Sequence, residues 1–366
     1  MAVYIHQLKS WPHFQWDPEA IISLLPEVRN LQGKLMGKVE LLGFSLKDQA
    51  NLETLIQDVV KSSEIEGEVL NPEQVRSSIA TRLGLENSGM LHFDRNIDGI
   101  VEMMLDATQT NDKTLNNERL YGWHAALFPT GRSGMHKIEV GGWRTGDMQV
   151  VSGGMGREIV YFEAPKASLL EEEMKQFMDW FNTDSDMDPI LKAAVAHLWF
   201  ITIHPFDDGN GRIARAITDM QLSKADGVNQ RFYSMSAQIK NDRKSYYKIL
   251  EQTQKDDMDI TKWIIWFLEC LKKAILSSGT IIDKVIDKHN FWAKNAALIS
   301  NERQQKMLGK LLEGFAGNLT TSKWSKMTKS SQDTALRDIT DLINKGILIK
   351  ANSGGRSTYY ELKTDR

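Results

Sequence analysis

At 366 residues and 41% hydrophobic content, the chain has material for two or three domains and a substantial core. Its net charge of −3 implies no global attraction to nucleic acid or membrane, and its single cysteine, Cys270, excludes an internal disulfide and fits a reducing, cytoplasmic setting. The opening MAVYIHQLKSWPHF lacks the apolar centre of a signal peptide. The most apolar run, 190–203, is broken by Lys192 and His197 and is too short to cross a bilayer, so no membrane partner is expected.

Taken in chain order, nearly every periodic segment reads as helix, beginning with 52–63. In "VVKSSEIEGEVLNPEQV" (59–75), Ser62 and Glu66 lie four apart on one helix face, and Gly67 is a natural helix stop. Alone, that pattern describes a surface helix end. "QGKLMGKVE" (32–40) lacks the glycine spacing and the hydroxyl residue of a P-loop. "MQVVSGGMGREIVYFEAP" (148–165) departs from the helical pattern, with two short β-prone runs around a glycine-rich centre, which predicts a hairpin. A hairpin on a helical protein is marginal by itself and is expected to cover a site or offer an edge.

Helical spacing resumes over 171–181. Asp188-Pro189 then supplies an N-cap and a first-position proline for the apolar run to 203, and a further helix closes at Gly227. Segments 245–254 and 261–276 are again amphipathic. His124 and His197 sit in apolar surroundings and read as core residues. From about 300 the pattern becomes three short helices and two strands, the order of a winged helix. Residues 301–366 hold twelve Lys/Arg against seven Asp/Glu, so a module of about +5 is appended to a body of about −8. DNA and protein are both open as its partner, with Lys323, Lys326, Lys329, Arg337 and Arg356 as candidate contacts and Asp333, Asp338 and Asp341 diluting the third helix.

The densest chemistry lies between 203 and 216, where HPFDDGNGRIAR interrupts the helical core. Gly209, Asn210 and Gly211 allow successive N–H groups to converge on one point, and the following helix places its positive end there, so phosphate is the natural guest. Arg212 and Arg215 add charged donors. Asp208 is a lone carboxylate of the kind that shares Mg²⁺ with a nucleotide, and His204 is placed to take a proton from a hydroxyl. Together these groups predict phosphoryl or nucleotidyl transfer.

HPFDDGNGRIAR resembles the Fic family signature, H-P-F-x-[DE]-G-N-G-R-x-x-R, at every defined position. The resemblance implies a mainly α fold: a Fic helical core with a small β-hairpin flap, a helical N-terminal extension and a C-terminal winged helix. The expected domains are 1–90, with an inhibitory helix at about 52–67; 91–285, with the flap at about 148–163 and the signature loop at 204–215; and 300–366. The implied activity is protein adenylyltransfer, moving AMP from Mg·ATP to a Ser, Thr or Tyr hydroxyl of a target protein and releasing pyrophosphate.

In that resemblance His204 is the base, Asp208 binds Mg²⁺, and Gly209, Asn210, Gly211, Arg212 and Arg215 hold the phosphates. Val151 and Gly153 of the flap cover the nucleotide, and Tyr246 lies near its adenine or ribose. SSEIEG matches the family's inhibitory pattern at Ser62, Glu66 and Gly67, which implies a resting enzyme whose Glu66 pairs with Arg215. Alternatives are a bifunctional enzyme that also removes AMP and a nucleotide-sensing DNA-binding regulator. Self-modification and a homodimer are further expectations.

Overall fold

A helix that is apolar on every face persists only where other helices surround it. In the computed structural model, which describes residues 4–85, 94–152, 159–184, 186–312, 314–315, 317–351 and 358–363, the run from 190 to 203 forms such a helix. It lies in the first of two units, Met1–Ile282 and Asp283–Arg366.

The first unit begins with α1 (Pro18–Ile21), α2 (Leu24–Glu40), α3 (Phe44–Ile65), α4 (Pro72–Arg82), α5 (Arg95–Gln109) and α6 (Asn117–Leu127). Two antiparallel pairs follow, β1 (Arg132–Ser133) with β2 (His136–Lys137) and β3 (Gln149–Ser152) with β4 (Ile159–Glu163). Then come α7 (Leu170–Asn182), α8 (Pro189–Ile203), α9 (Asn210–Asp226), α10 (Met235–Asn241), α11 (Arg243–Gln254) and α12 (Thr261–Asn295), the last of which crosses into the second unit. The protein is therefore mainly helical, with small two-stranded sheets.

Local chemistry sets the boundaries. Asp188 accepts from the Ile190 N–H with Pro189 at the first helical position, as the sequence pattern requires for α8. Helix α9 closes at Gly227, whose φ of 69° few other residues tolerate. Two helices run past their expected limits. Helix α3 starts at Phe44 rather than 52, and α12 continues beyond 276 to Asn295. In each extension the apolar stripe weakens while no proline interrupts the chain, so nothing in the backbone ends the helix.

Helix α9 packs against α8, α5, α6, α3 and α10, and α3 packs against α10, α4, α5 and α9. A buried polar network adds to the apolar contacts. Arg231 is fully buried and bonds Asp219 (2.9 Å) and Asp226 (3.1 Å) of α9, while its own N–H reaches Asn51 of α3. Asp58 of α3 is also fully buried and accepts from the Ser234 hydroxyl; burial, and then the neighbouring Asp219 charge, push its carboxyl well above the usual range. These contacts tie the first half and middle of α3 to the second half of α9 and the segment that follows it.

The expected hairpin is present as β3–β4, with Val150 opposite Phe162 and a bulge before Val151. Its base packs on Tyr4, whose ring meets Phe162 edge-on at 5.2 Å. The β1–β2 hairpin was not expected, since two-residue strands show no alternation; a Ser133-Gly134 turn signal was its only trace.

In the second unit, α13 (Glu302–Leu312), α14 (Thr321–Thr328) and α15 (Gln332–Asn344) precede the antiparallel pair β5 (Leu348–Lys350) and β6 (Tyr360–Leu362). Trp324, Ile339, Leu342, Ile347 and Tyr360 share its core. Asp338 is held by a forked Arg303 contact (2.8 and 3.0 Å), and Asp341 by Lys345 (2.6 Å), so both are paired within this unit.

Candidate active site

The α8–α9 connection is a short loop with each group locked. Helix α8 ends where His204 turns into the left-handed region (φ 52°, ψ 57°), which reverses the chain at Pro205. Phe206 is fully buried, stacked on His124 at 4.2 Å and tilted against Trp143. The Asn210 side chain bonds both sides of Phe206: its oxygen accepts from the Phe206 N–H (2.9 Å) and its amide donates to the Phe206 carbonyl (2.7 Å). The side chain of Asn210 is thus a loop brace, and only its backbone N–H is left for a ligand.

Gly209 has φ of 80°, and a Cβ there would sit 2.9 Å from the Phe128 ring, so it is glycine for two independent reasons. The first α9 N–H with a partner in the turn is that of Ile213, on the Gly209 carbonyl; the N–H groups of Asn210, Gly211 and Arg212 precede it.

His204 bonds the Ile201 carbonyl through Nδ1 (3.1 Å). A carbonyl only accepts, so the proton is on Nδ1 and Nε2 carries the free lone pair. Burial holds the imidazole below its ordinary pKa, and Arg144 nearby lowers it further. This is the form a general base needs. Arg144, which sequence reasoning missed, is buried and donates to the carbonyls of His204 (2.8 Å), Gly146 (2.7 Å) and Pro165, while its N–H bonds the Pro205 carbonyl. It ties the base of the β3–β4 hairpin to the loop carrying His204. Two further contacts come from the β1–β2 region: Ser133 donates to Asp208, and the Glu139 N–H to Asp207.

The end of α3 faces the start of α9. Arg215 is 2% exposed; its Nε donates to the Ser62 hydroxyl (2.9 Å), and its Nη2 to both the Ser62 carbonyl (2.9 Å) and Glu66 Oε1 (2.9 Å). Burial opposes its charge, yet the Glu66 carboxylate keeps its pKa above the ordinary value. The same Glu66 Oε1 lies 2.2 Å from where a Gly211 Cβ would be, so the carboxylate rests on the bare backbone of the first α9 turn. Gly67, with φ of 90°, ends α3 beyond it.

His204, Asp208, Gly209, Asn210, Gly211 and Glu66 all line one cleft of about 660 Å³, closed on one side by Val150 and Phe162 of the hairpin. Arg215 stands behind Glu66 rather than on the wall. Val151 lies in β3, and Gly153 is outside the described residues.

Tyr246 reaches the cleft, but its hydroxyl points elsewhere. It donates to His197 Nε2 (2.9 Å), His197 Nδ1 donates to Thr218 (2.8 Å), and Thr218 donates to the Ala214 carbonyl (2.8 Å). Tyr247, 40% exposed, presents more of its ring to the cleft, and its hydroxyl lies 3.5 Å from Glu66 Oε2. Arg243, Lys244 and Lys248 of α11 add cations to the rim, which sequence reasoning also missed; Arg243 and Lys244 stand four and three residues before Tyr247 and Lys248 four after Lys244, which was the available signal.

Among the described residues no group of three or more His, Cys, Asp or Glu could hold a metal by itself. The donor set fits a cation that arrives with a nucleotide: Asp208 gives one carboxylate, and phosphates and water would complete the shell.

A histidine with a free Nε2 lone pair thus stands beside a glycine-rich helix N-terminus, and the chain was compared with known proteins on that footing. Residues 114–222 match the Fic/DOC family, and residues 4–85 match Domain of unknown function (DUF4172). Protein adenylyltransferase Fic of Nematostella vectensis is 26% identical over 281 residues, covering 70% of this chain and 59% of that protein. Its counterpart in Drosophila willistoni is 25% identical over 240 residues, covering 62% and 42%. The chain therefore spans about half the length of these curated relatives. Among solved structures, a Fic family protein from Desulfovibrio desulfuricans G20 aligns with a TM-score of 0.54 at 19% identity, over 97% of this chain and 99% of that one. A Fic domain containing signaling protein from Bacteroides thetaiotaomicron VPI-5482 aligns with a TM-score of 0.53 at 20% identity, over 72% and 97%. Residues 114–222 of this chain therefore form a Fic/DOC-like domain, on a fold shared with solved Fic family structures.

Proposed function

We propose that this protein transfers AMP from ATP to a hydroxyl of a target protein, and that Glu66 holds the site inactive at rest. The observation that carries the reading is the pairing, in one cleft, of a His204 Nε2 lone pair with the N–H groups that open α9 ahead of its first intrahelical bond. His204 takes the proton of the attacking hydroxyl as its oxygen bonds the α-phosphorus; the bond from that phosphorus to the bridging oxygen breaks, and pyrophosphate leaves. The α9 N-terminus and Arg212 stabilise the charge that develops on the phosphate oxygens. Asp208 would hold Mg²⁺, which supplies charge neutralisation to the departing pyrophosphate.

Support for the inhibitory part comes from the Glu66 carboxylate on Arg215 and Gly211, which on this reading takes the space of a terminal phosphate. The test is α-labelled ATP with Mg²⁺ and three purified proteins: wild type, Glu66→Gly, and Glu66→Gly with His204→Ala. Label on the single variant, above wild type and absent from the double variant, is expected. Equal labelling of all three would sink the reading.

A second reading, a nucleotide-sensing DNA-binding regulator, draws support from the second unit. With Asp338 and Asp341 engaged by Arg303 and Lys345, the exposed Lys326, Lys329 and Arg337 are less diluted than the sequence implies. DNA affinity that falls steeply with salt, with no transfer activity, would favour it.

A further inference from the structure

Glu66 is not the only carboxylate at this contact. Glu68 Oε2 bonds Arg212 Nη1 at 3.1 Å, so both arginines at the start of α9 are met by acids from one turn of chain. We propose that Glu68 is a second regulatory carboxylate, which occupies Arg212 as Glu66 occupies Arg215. This rests on the proposed nucleotide transfer and extends it from a one-point to a two-point lock.

The backbone directs both acids. Helix α3 ends in a Schellman turn: the Glu68 N–H returns to the Ser63 carbonyl (3.0 Å), and the Gly67 N–H to that of Glu64 (3.2 Å). Lys240 secures the same turn through the Glu64 carbonyl (2.8 Å). Arg212 and Arg215 are three apart on one face of α9, so a pair of carboxylates faces a pair of guanidinium groups.

The match is incomplete in an informative way. Arg212 is 6% exposed and Arg215 2% exposed, yet Arg212 Nε and Arg215 Nη1 are buried without any partner. Each guanidinium retains a donor that its carboxylate does not reach. A buried unpaired donor is costly, and a polyphosphate, with more acceptor oxygens than two carboxylates, would satisfy it. The acids are therefore stand-ins that a nucleotide tail can displace. Glu68, with its side chain 38% exposed, is the weaker of the two and the first to yield.

The test is calorimetry of Mg·ATP and of AMP with the full chain in six forms: wild type, Glu68→Gln, Glu66→Gly, Glu66→Gly with Glu68→Gln, and the last two each with Arg212→Ala. Thermal melts establish that each is folded. In the Glu66→Gly background, Glu68→Gln should tighten ATP about fivefold, leave AMP unchanged, and lose its effect once Arg212 is removed. An unchanged ATP affinity on Glu68→Gln, while Glu66→Gly alone tightens ATP, overturns this inference and leaves the proposed function standing. An equal gain for AMP, or a gain that survives Arg212→Ala, also overturns it. No ATP binding by any folded form overturns both.

Discussion

Two helix ends meet at this site, and each closes on a residue in the left-handed region. At the end of α8 that residue is His204, and the chain beyond it leads into the N-terminal turn of α9 and its arginines. At the end of α3 it is Gly67, flanked by Glu66 and Glu68. One end collects donors and the other presents acceptors. The donor-rich and acceptor-rich ends are thus complementary halves of a single electrostatic contact, and that complementarity can be broken from either side.

The largest effect is expected from the donor side. Once Glu66→Gly has opened the site, adding His204→Ala should lower the initial rate of AMP transfer by about 10²- to 10⁴-fold, the usual loss of a general base. From the acceptor side, Glu66→Gly alone should raise that rate about tenfold or more, because breaking a buried Arg–carboxylate pair shifts the balance by a few kcal/mol. Radiolabel incorporation over the first minutes measures both.

The two glycines sharpen the comparison. Gly209→Ala must place a Cβ 2.9 Å from Phe128 at φ of 80°, and should cost about 2–3 kcal/mol of unfolding free energy. Gly67→Ala meets nothing within 4 Å and carries only the φ penalty, about 1–2 kcal/mol. Chemical denaturation would rank them; the opposite order would mean that the end of α3, not the α8–α9 loop, is the tighter structure.

The smallest effect concerns pH. Because burial depresses the His204 pKa, the base stays neutral on acidification past the ordinary histidine value, about 6.5. Transfer by Glu66→Gly should therefore persist below that pH and fall only as His204 gains its proton. Stability follows its own curve. His197 and His124 are lowered by burial to about 3 and about 4, so the unfolded chain binds protons first. Their contribution is full above about pH 6.5 and is lost as pH falls from there toward these values. Thermal melts from pH 7 to 4 should show a declining midpoint, flatter in His124→Phe, which keeps a ring on Phe206.

Much of this was legible in the residues themselves. The helix ends at Asp188 and Gly227, the β3–β4 hairpin, and the phosphate chemistry of His204 to Arg215 follow from local patterns: caps, alternation, and glycines next to a helix start. The Ser62–Glu66–Gly67 segment was legible only as a helix end until it was matched to a family pattern, because nothing near it in sequence names its partner. Ser62 and Arg215 are 153 positions apart. The contributions of Arg144, Ser133, Tyr247 and Glu68 depend on the same kind of distance. Each acts on a group from another element, and side-chain periodicity reports only the element's own faces.

By itself the sequence determined where the proposed chemistry is concentrated, since the groups assigned to phosphate binding and proton transfer in that proposal lie within twelve consecutive residues. Tertiary structure alone decided what faces them. Packing of α3 along α9, held by the buried Arg231 and Asp58 contacts, sets two carboxylates against two arginines. The physical reason is range: caps and glycine turns act over a few bonds, whereas ion pairing and burial act through space and depend on which helices the core brings together.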